Sequence, residues 1–240
     1  MKRRNFIEKT SIGAAAIIGV PSIVPSSVFG KNAPSNKINI GQIGCGRIAR
    51  SHDLIETMNH DVSNVMAVCD LDSNRLNEGK VLVDNFYEEK KGKKRYNATK
   101  TYSDYREMLL NKDIDAVMIS TPDHWHAQPA IEAALAGKDI YLQKPTSLTV
   151  KEGRQLVEVV KSRNVILQVG TQQRAMPQFR IAAELVRNGR IGKLQTVKIG
   201  LPGDPSGPEA DPMPIPKNLN FDMWLGSTPE IPYTEIGVHP

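Results

Sequence analysis

Residues 44–49 read Gly-Cys-Gly-Arg-Ile-Ala, a G-x-G-x-x-A pattern. In such a turn the first glycine (Gly44) permits a tight bend and the second (Gly46) lets backbone approach a pyrophosphate. A small third residue, here Ala49, allows close helix–strand packing, and the amides opening the helix meet the phosphate charge. Asp70 follows 24 residues after Gly46, at the end of the next apolar run. A carboxylate there accepts hydrogen bonds from ribose hydroxyls and repels a 2′-phosphate, which favours NAD, with NADP left open because Arg75 could serve that phosphate. Taken singly, the glycines suit any βα turn and Asp70 any strand end; between a strand and a helix they point jointly to a dinucleotide. Two further stretches close apolar runs: Ser120-Thr121-Pro122-Asp123-His124-Trp125-His126 and Gln143-Lys144-Pro145. A lysine at such an edge can hydrogen-bond a substrate hydroxyl and stabilise a developing alkoxide, although out of context Lys144 is an ordinary surface charge. His124 and His126 stand two apart with no third ligand, so no metal is expected.

The elements that must position these groups are short and alternate. Strand patterns fall around Ile38, Ile40 and Ile43 and at 64–69, 99–102, 114–120, 139–142 and 165–169; helical patterns fall at 48–58, 76–89, 104–110, 129–136 and 150–162. Ser103 is the expected N-cap of the third helix and Gly137 the stop of the fourth. Apolar strands alternating with helices predict an α/β fold, a doubly wound parallel sheet over residues 37–170 with its ligands at the carboxyl edge. A helix at 178–188 and a strand at 195–201 then begin a different region (171–240), rich in proline and with too few strands to close a second domain alone.

The 240 residues carry Lys+Arg 31 against Asp+Glu 26, with 40% hydrophobic and 24% charged residues. This excludes a disordered or fibrous chain. Two cysteines exclude a disulfide scaffold, and no stretch of some 18 apolar residues predicts a permanent membrane span. Residues 1–30 have the layout of an export signal: Lys2, Arg3 and Arg4, a short apolar run from Ile12 to Val20, then small residues and prolines before Gly30. With four positive charges and one negative in that leader, the remainder is left at about +2. Residues 31–36 read as a polar linker. The basic run at 90–95 has no interleaved aromatics and reads as a solvated loop, so nucleic acid is not an expected partner.

Arg3-Arg4-Asn5-Phe6-Ile7 resembles a twin-arginine (Tat) signal, which implies a periplasmic or otherwise exported protein that folds before export and keeps Cys45 and Cys69 as free thiols. In order, the G-x-G-x-x-A turn, Asp70, Thr121-Pro122-x-His124-x-His126, Lys144-Pro145 and Asn188-Gly189-Arg190-Ile191-Gly192-Lys193-Leu194 resemble the Gfo/Idh/MocA oxidoreductases. Phe221-Asp222-Met223-Trp224-Leu225-Gly226 is similar to a subgroup of secreted bacterial members. The resemblance covers about residues 37–200. It implies an NAD(P)-binding Rossmann domain followed by an α+β domain with an open, mostly antiparallel sheet, incomplete here, and hydride transfer between nicotinamide and a sugar or cyclitol carbon. By the same resemblance Gly44, Gly46, Arg47, Ile48 and Asp70 hold the dinucleotide. Thr121, Pro122 and His124 pack near its nicotinamide half, Gln143, Lys144 and Pro145 complete the cofactor site, and Lys144 is also catalytic across an often-cis Lys-Pro bond. His126, Gln172 and Arg174 are weaker substrate-side candidates, and the longer protein is expected to be a homo-oligomer.

Two departures from that family stand in the sequence. Gln143 replaces the usual glutamate, which removes a negative neighbour of Lys144 and eases loss of its proton while leaving an amide for the cofactor. The downstream acid/base histidine with its aspartate is absent, His239 being a loop residue, so the chain reads as a fragment with little turnover alone. The alternatives are a redox-assisted glycosidase of the same family and a non-catalytic dinucleotide-binding or sugar-sensing protein.

Overall fold

The computed structural model describes residues 36–92, 97–201 and 210–238. The leader, nearly all of the linker, residues 93–95 of the basic run, Pro202, Pro205, Pro208 and His239 lie outside the described residues. Six strands form one sheet: β1 (Ile38–Ile43), β2 (Ser63–Cys69), β3 (Lys100–Tyr102), β4 (Ala116–Ile119), β5 (Asp139–Leu142) and β6 (Leu167–Val169). Their order is β3-β2-β1-β4-β5-β6, with every adjacent pair parallel. The chain reverses direction of travel across the sheet between β1 and β4, and the loops leaving those two strands part to form a crevice.

Helices cover both faces: α1 (Leu54–Asn59), α2 (Ser73–Lys91), α3 (Tyr105–Leu109), α4 (Ala127–Leu135) and α5 (Val150–Arg163). Side chains alternate across each strand, so one strand feeds two cores. Val117 and Ile119 of β4 join Ile43, Leu142 and Leu156 on one face. Met118 between them joins Leu54, Met58, Val65 and Val83 on the other. The helix starts are fixed chemically. Asp72 accepts from the Asn74 amide at 2.8 Å, and Thr149 with Glu152 forms a reciprocal capping box at α5. Gly137, at φ 73°, ends α4 in the left-handed region.

Three expectations are corrected. The helix at 48–58 is not uniform: Ala49–Asp53 is a π-turn, with the Leu54 amide donating to the Ala49 carbonyl, before α1 begins. The cap of α3 is Asp104, not Ser103; Asp104 accepts from the Arg106 amide at 2.8 Å, one residue before Tyr105 enters the core. Residues 195–201 form no strand. A strand requires a neighbour to satisfy its backbone, and among the described residues none lies beside this segment, whose Val197, Ile199 and Leu201 are exposed. It follows α6 (Gln172–Ala175) and α7 (Pro177–Arg187), an amphipathic helix with Phe179 and Ile181 half exposed. Two short helices end the described chain, α8 (Phe221–Leu225) and α9 (Glu235–Val238). No helix among the described residues is long and apolar enough to cross a membrane.

Candidate functional site

A cleft of about 400 Å³ runs along the carboxyl edge of the sheet where β1 and β4 diverge. Its floor is the turn after β1. Gly44 has φ 83°, and a Cβ added there would stand 2.7 Å from the Ser120 carbonyl oxygen, at the end of β4. Gly46 is open by comparison; a Cβ there would meet only the Arg75 guanidinium, at 3.4 Å. Arg47, Ile48, Asp70 and Arg75 line the same end. Asp70 accepts from the Cys45 amide (2.6 Å) through Oδ2 and from the Asp72 amide (2.8 Å) through Oδ1, so one carboxylate fixes both the glycine turn and the β2 exit. Each oxygen keeps a second lone pair for a ligand hydroxyl. Burial pushes the Asp70 carboxyl above the usual aspartate value, against the opposing pull of those two amides and of Arg75. Burial, and after it the charge of Asp70, also pushes up the thiols of Cys45 and Cys69, which are both free and buried.

The other end of the cleft is built by the loops after β4 and β5. Thr121, Pro122, Gln143, Lys144 and, just after β6, Gln172 line it. The Lys144–Pro145 peptide bond is cis. His126 is buried between the two loops, its Nε2 at 2.9 Å from the Thr121 carbonyl and its Nδ1 against the Pro145 carbonyl. With both ring nitrogens engaged, His126 ties the loops together and has no polar atom left for a substrate. His124 does not reach the cleft wall: its Nε2 donates to the Trp224 carbonyl at 2.7 Å and its ring meets the Trp224 indole edge-on. Arg174 is exposed and outside the cleft lining, as is Pro145. Among the described residues no group of three or more His, Cys, Asp or Glu side chains is placed to hold a metal.

A strap from the C-terminal region roofs the cleft. Asn218 and Leu219 pair with the β2 exit, the Ser73 amide donating to the Asn218 carbonyl (2.9 Å) and the Asn220 amide to Leu71 (3.1 Å). Further on, the Trp224 carbonyl accepts from His124 and from the Trp125 indole N–H (2.9 Å). Leu219, Phe221, Leu225, Tyr233 and Val238 form a small core beneath the strap, and Leu219, Met223 and Trp224 face the cleft. Gly226 ends α8 at φ 58° with its would-be Cβ 2.5 Å from the Trp125 ring. Gly226→Ala is therefore expected to lift the strap off Trp125 at a cost of about 2–3 kcal/mol. Limited proteolysis between residues 210 and 238 checks this; an unchanged cleavage rate would show that the strap docks without Gly226.

A model of an oxidoreductase family with an NAD-binding Rossmann fold matches residues 38–171. The chain belongs to the Gfo/Idh/MocA family. Among similar proteins, a myo-inositol 2-dehydrogenase of Thermotoga maritima is 31% identical over 188 residues, 78% of this chain and 52% of that protein. A glycosyl hydrolase family 109 protein of Shewanella baltica is 29% identical over 209 residues, 80% of this chain and 44% of that protein. The crystal structure of scyllo-inositol dehydrogenase from Lactobacillus casei, with bound NAD(H) and scyllo-inositol, superposes with a TM-score of 0.55 at 26% identity, over 65% of this chain and 42% of that one. The chain spans about half the length of the curated relatives it matches.

The Gfo/Idh/MocA departure at Gln143 acquires a partner in three dimensions. Asp53, at the end of the π-turn, is buried and receives the Gln143 amide N–H at 2.9 and 3.0 Å and the Ser120 hydroxyl at 2.7 Å. The Asp53 carboxyl group thus stands directly behind Gln143. The Gln143 amide is also taken: its Oε1 accepts from Gln172 Nε2 at 3.1 Å. Asp53 and the strap were the features of the cleft and its surroundings least visible in the sequence. An acidic residue on the inward side of a helix was the one available signal for Asp53, and Phe221–Gly226 the one for the strap.

Proposed function

We propose that the protein is an exported oxidoreductase that uses NAD to move a hydride between a ring carbon of a sugar or cyclitol and nicotinamide. The observation that carries this reading is the joint lining of one cleft, at the switch point between β1 and β4, by Gly44, Gly46, Asp70 and Lys144. The cleft fits a dinucleotide on its own geometry. Gly44 adopts a backbone conformation and a proximity to Ser120 that a Cβ would forbid, Gly46 leaves its backbone uncovered, and Asp70 keeps acceptor capacity facing the cleft. Gly44, Gly46, Arg47 and Ile48 would hold the pyrophosphate, Asp70 the adenosine ribose, and Thr121 and Pro122 the nicotinamide half. When bound, nicotinamide supplies the hydride acceptor. The Lys144 ammonium donates a hydrogen bond to the reacting hydroxyl and stabilises the negative charge that develops on its oxygen; the proton itself leaves to a separate base. We read the chain as part of a longer polypeptide, as a Tat substrate and as a homo-oligomer. The half-length match to the relatives supports the first of these.

NADH fluorescence titration of that longer polypeptide, followed by NADH formation from NAD with a panel of inositols and hexoses, tests the reading. Failure to bind either NAD(H) or NADP(H) would end it. The roofing strap favours one second reading, a glycosidase that keeps its NAD through the cycle, and the family 109 relative is consistent with it. Glycoside cleavage without net NADH release distinguishes the two.

The raised carboxyl of Asp70 gives a pH signature. Protonated Asp70 loses the charge that grips ribose hydroxyls, so NADH affinity is expected to fall on acidification, beginning above the ordinary aspartate value of 3.8. Stability runs the other way. A carboxyl raised in the folded state contributes stability that is present below the unfolded value and lost as pH rises through the folded one, so acidification through that window stabilises the unliganded protein. Asp70→Asn should remove both trends; an affinity still falling at the same pH in this variant would place the titration elsewhere.

A further inference from the structure

Asp53 can only accept hydrogen bonds when ionised, and that property propagates. Because the carboxylate is acceptor-only, Gln143 must turn its amide nitrogen towards it, at 2.9 and 3.0 Å. The Gln143 oxygen then faces the other way, where it accepts from Gln172 Nε2 at 3.1 Å and from the Lys144 backbone N–H at 3.4 Å. Gln172 is fixed in turn, nitrogen towards Gln143, which leaves its amide oxygen as the acceptor available to the cleft that it lines. The chain is enclosed. Asp53 and Gln143 are both buried, and a Cβ on Gly170 would stand 3.1 Å from the Gln143 oxygen.

We infer that Asp53 is a positioning residue, which orients an amide relay through Gln143 to Gln172 beside Lys144, so that Gln172 presents an acceptor to a hydroxyl or carboxamide N–H of the bound ligand. The inference rests on the dinucleotide reading for its binding readout. It requires one carboxylate and one amide at positions 53 and 143, with the acid on either side. Two acids would face each other at hydrogen-bond distance and share a single proton, which is held in acid and lost on alkalinisation. The other titratable groups facing the pair are His52, whose Nδ1 lies 3.3 Å from Asp53, Tyr141 on β5, and Lys144. None of them is substituted in the comparison that follows, and the double exchange, which keeps one carboxylate in the pair, controls for their response to the altered charge.

The test compares the unsubstituted longer polypeptide with Gln143→Glu, Asp53→Asn and the double exchange, by NADH fluorescence titration and melting temperature from about pH 5.5 to 8.5. Gln143→Glu is expected to bind NADH about tenfold more weakly at the alkaline end than at the acid end, relative to the unsubstituted protein. Asp53→Asn weakens binding at every pH without that slope, because two amides impose no fixed orientation. The double exchange restores both affinity and slope to within about twofold. A Gln143→Glu protein with no added pH slope, or a folded double variant that fails to recover, overturns the relay. Should Gln143→Glu not fold, a double variant that folds and binds NADH supports it, and one that also fails to fold overturns it. Absence of NADH binding by the unsubstituted protein defeats the dinucleotide reading instead. The pH dependence of the melting temperatures then decides the Asp53–Gln143 pairing alone.

Discussion

Lys144→Met is expected to lower turnover of the longer polypeptide by about 10²–10³-fold, equivalent to about 3–4 kcal/mol of transition-state stabilisation. NADH binding should stay within about threefold and the melting temperature should not move. The contrast follows from where Lys144 sits. It is exposed at the carboxyl end of β5, in the cleft wall, and among the described residues its ammonium forms no ion pair. Removing it therefore takes nothing from the fold, since surface substitutions of this kind rarely exceed about 0.5 kcal/mol. What it takes is a positive donor at the one point where charge changes during reaction. Lys144→Arg should not rescue, because a planar fork on a longer stem cannot reproduce the placement of an ammonium. Steady-state kinetics with the inositol or hexose that the panel selects, beside NADH titration, makes the comparison. Wild-type turnover in Lys144→Met would remove this lysine from the chemistry and favour a protein that binds dinucleotide without using it.

The second large effect falls on Gly44, and it is structural first. At φ 83° any L side chain is strained by about 1–2 kcal/mol. An alanine Cβ would also stand 2.7 Å from the Ser120 oxygen, 2.9 Å from its carbon and 3.1 Å from the Thr121 nitrogen, all backbone atoms that cannot swing aside. Relief requires β1 and β4 to part at the point where Ser120 N–H donates to Ile43 and Gly44 N–H donates to Cys69. Gly44→Ala is expected to cost about 3–5 kcal/mol and to lower the melting temperature by about 10 °C, with NADH binding lost. Gly46→Ala should differ in kind. Its Cβ meets only the flexible end of Arg75, so stability should change little while NADH affinity drops as the backbone is covered. Urea unfolding of the two variants side by side tests the division; equal destabilisation would refute it.

Much of this was legible along the chain. Apolar runs of four to seven residues bounded by glycine, proline and acids announce buried parallel strands, because a strand covered on both faces has no polar side to display. The inner strands β1, β2, β4 and β5 fall within or against those runs, the edge strand β3 (Lys-Thr-Tyr) is largely exposed and has no such run, and the G-x-G-x-x-A turn lies where its spacing puts it. The failures share a cause. Val197, Ile199 and Leu201 have a strand's composition, yet a strand is a relation to a neighbour, and composition does not supply one. Ser103 and Asp104 are both good caps, and the packing of Tyr105 chose between them. His124 and His126 look alike in sequence, but one is spent on the Trp224 carbonyl and the other on two loop carbonyls.

The amino-acid sequence by itself determined the α/β architecture, the glycine turn, the acid at the β2 exit and the lysine at the β5 exit, because each follows from local periodicity and backbone sterics within a few residues. Tertiary structure alone decided that Asp53 stands behind Gln143, 90 residues away in the chain, and that the strap at 218–226 closes over Trp125 and the cleft. Those contacts join segments with no local pattern in common. Their partners are selected by burial and hydrogen-bond satisfaction once the sheet has brought the loops to one edge.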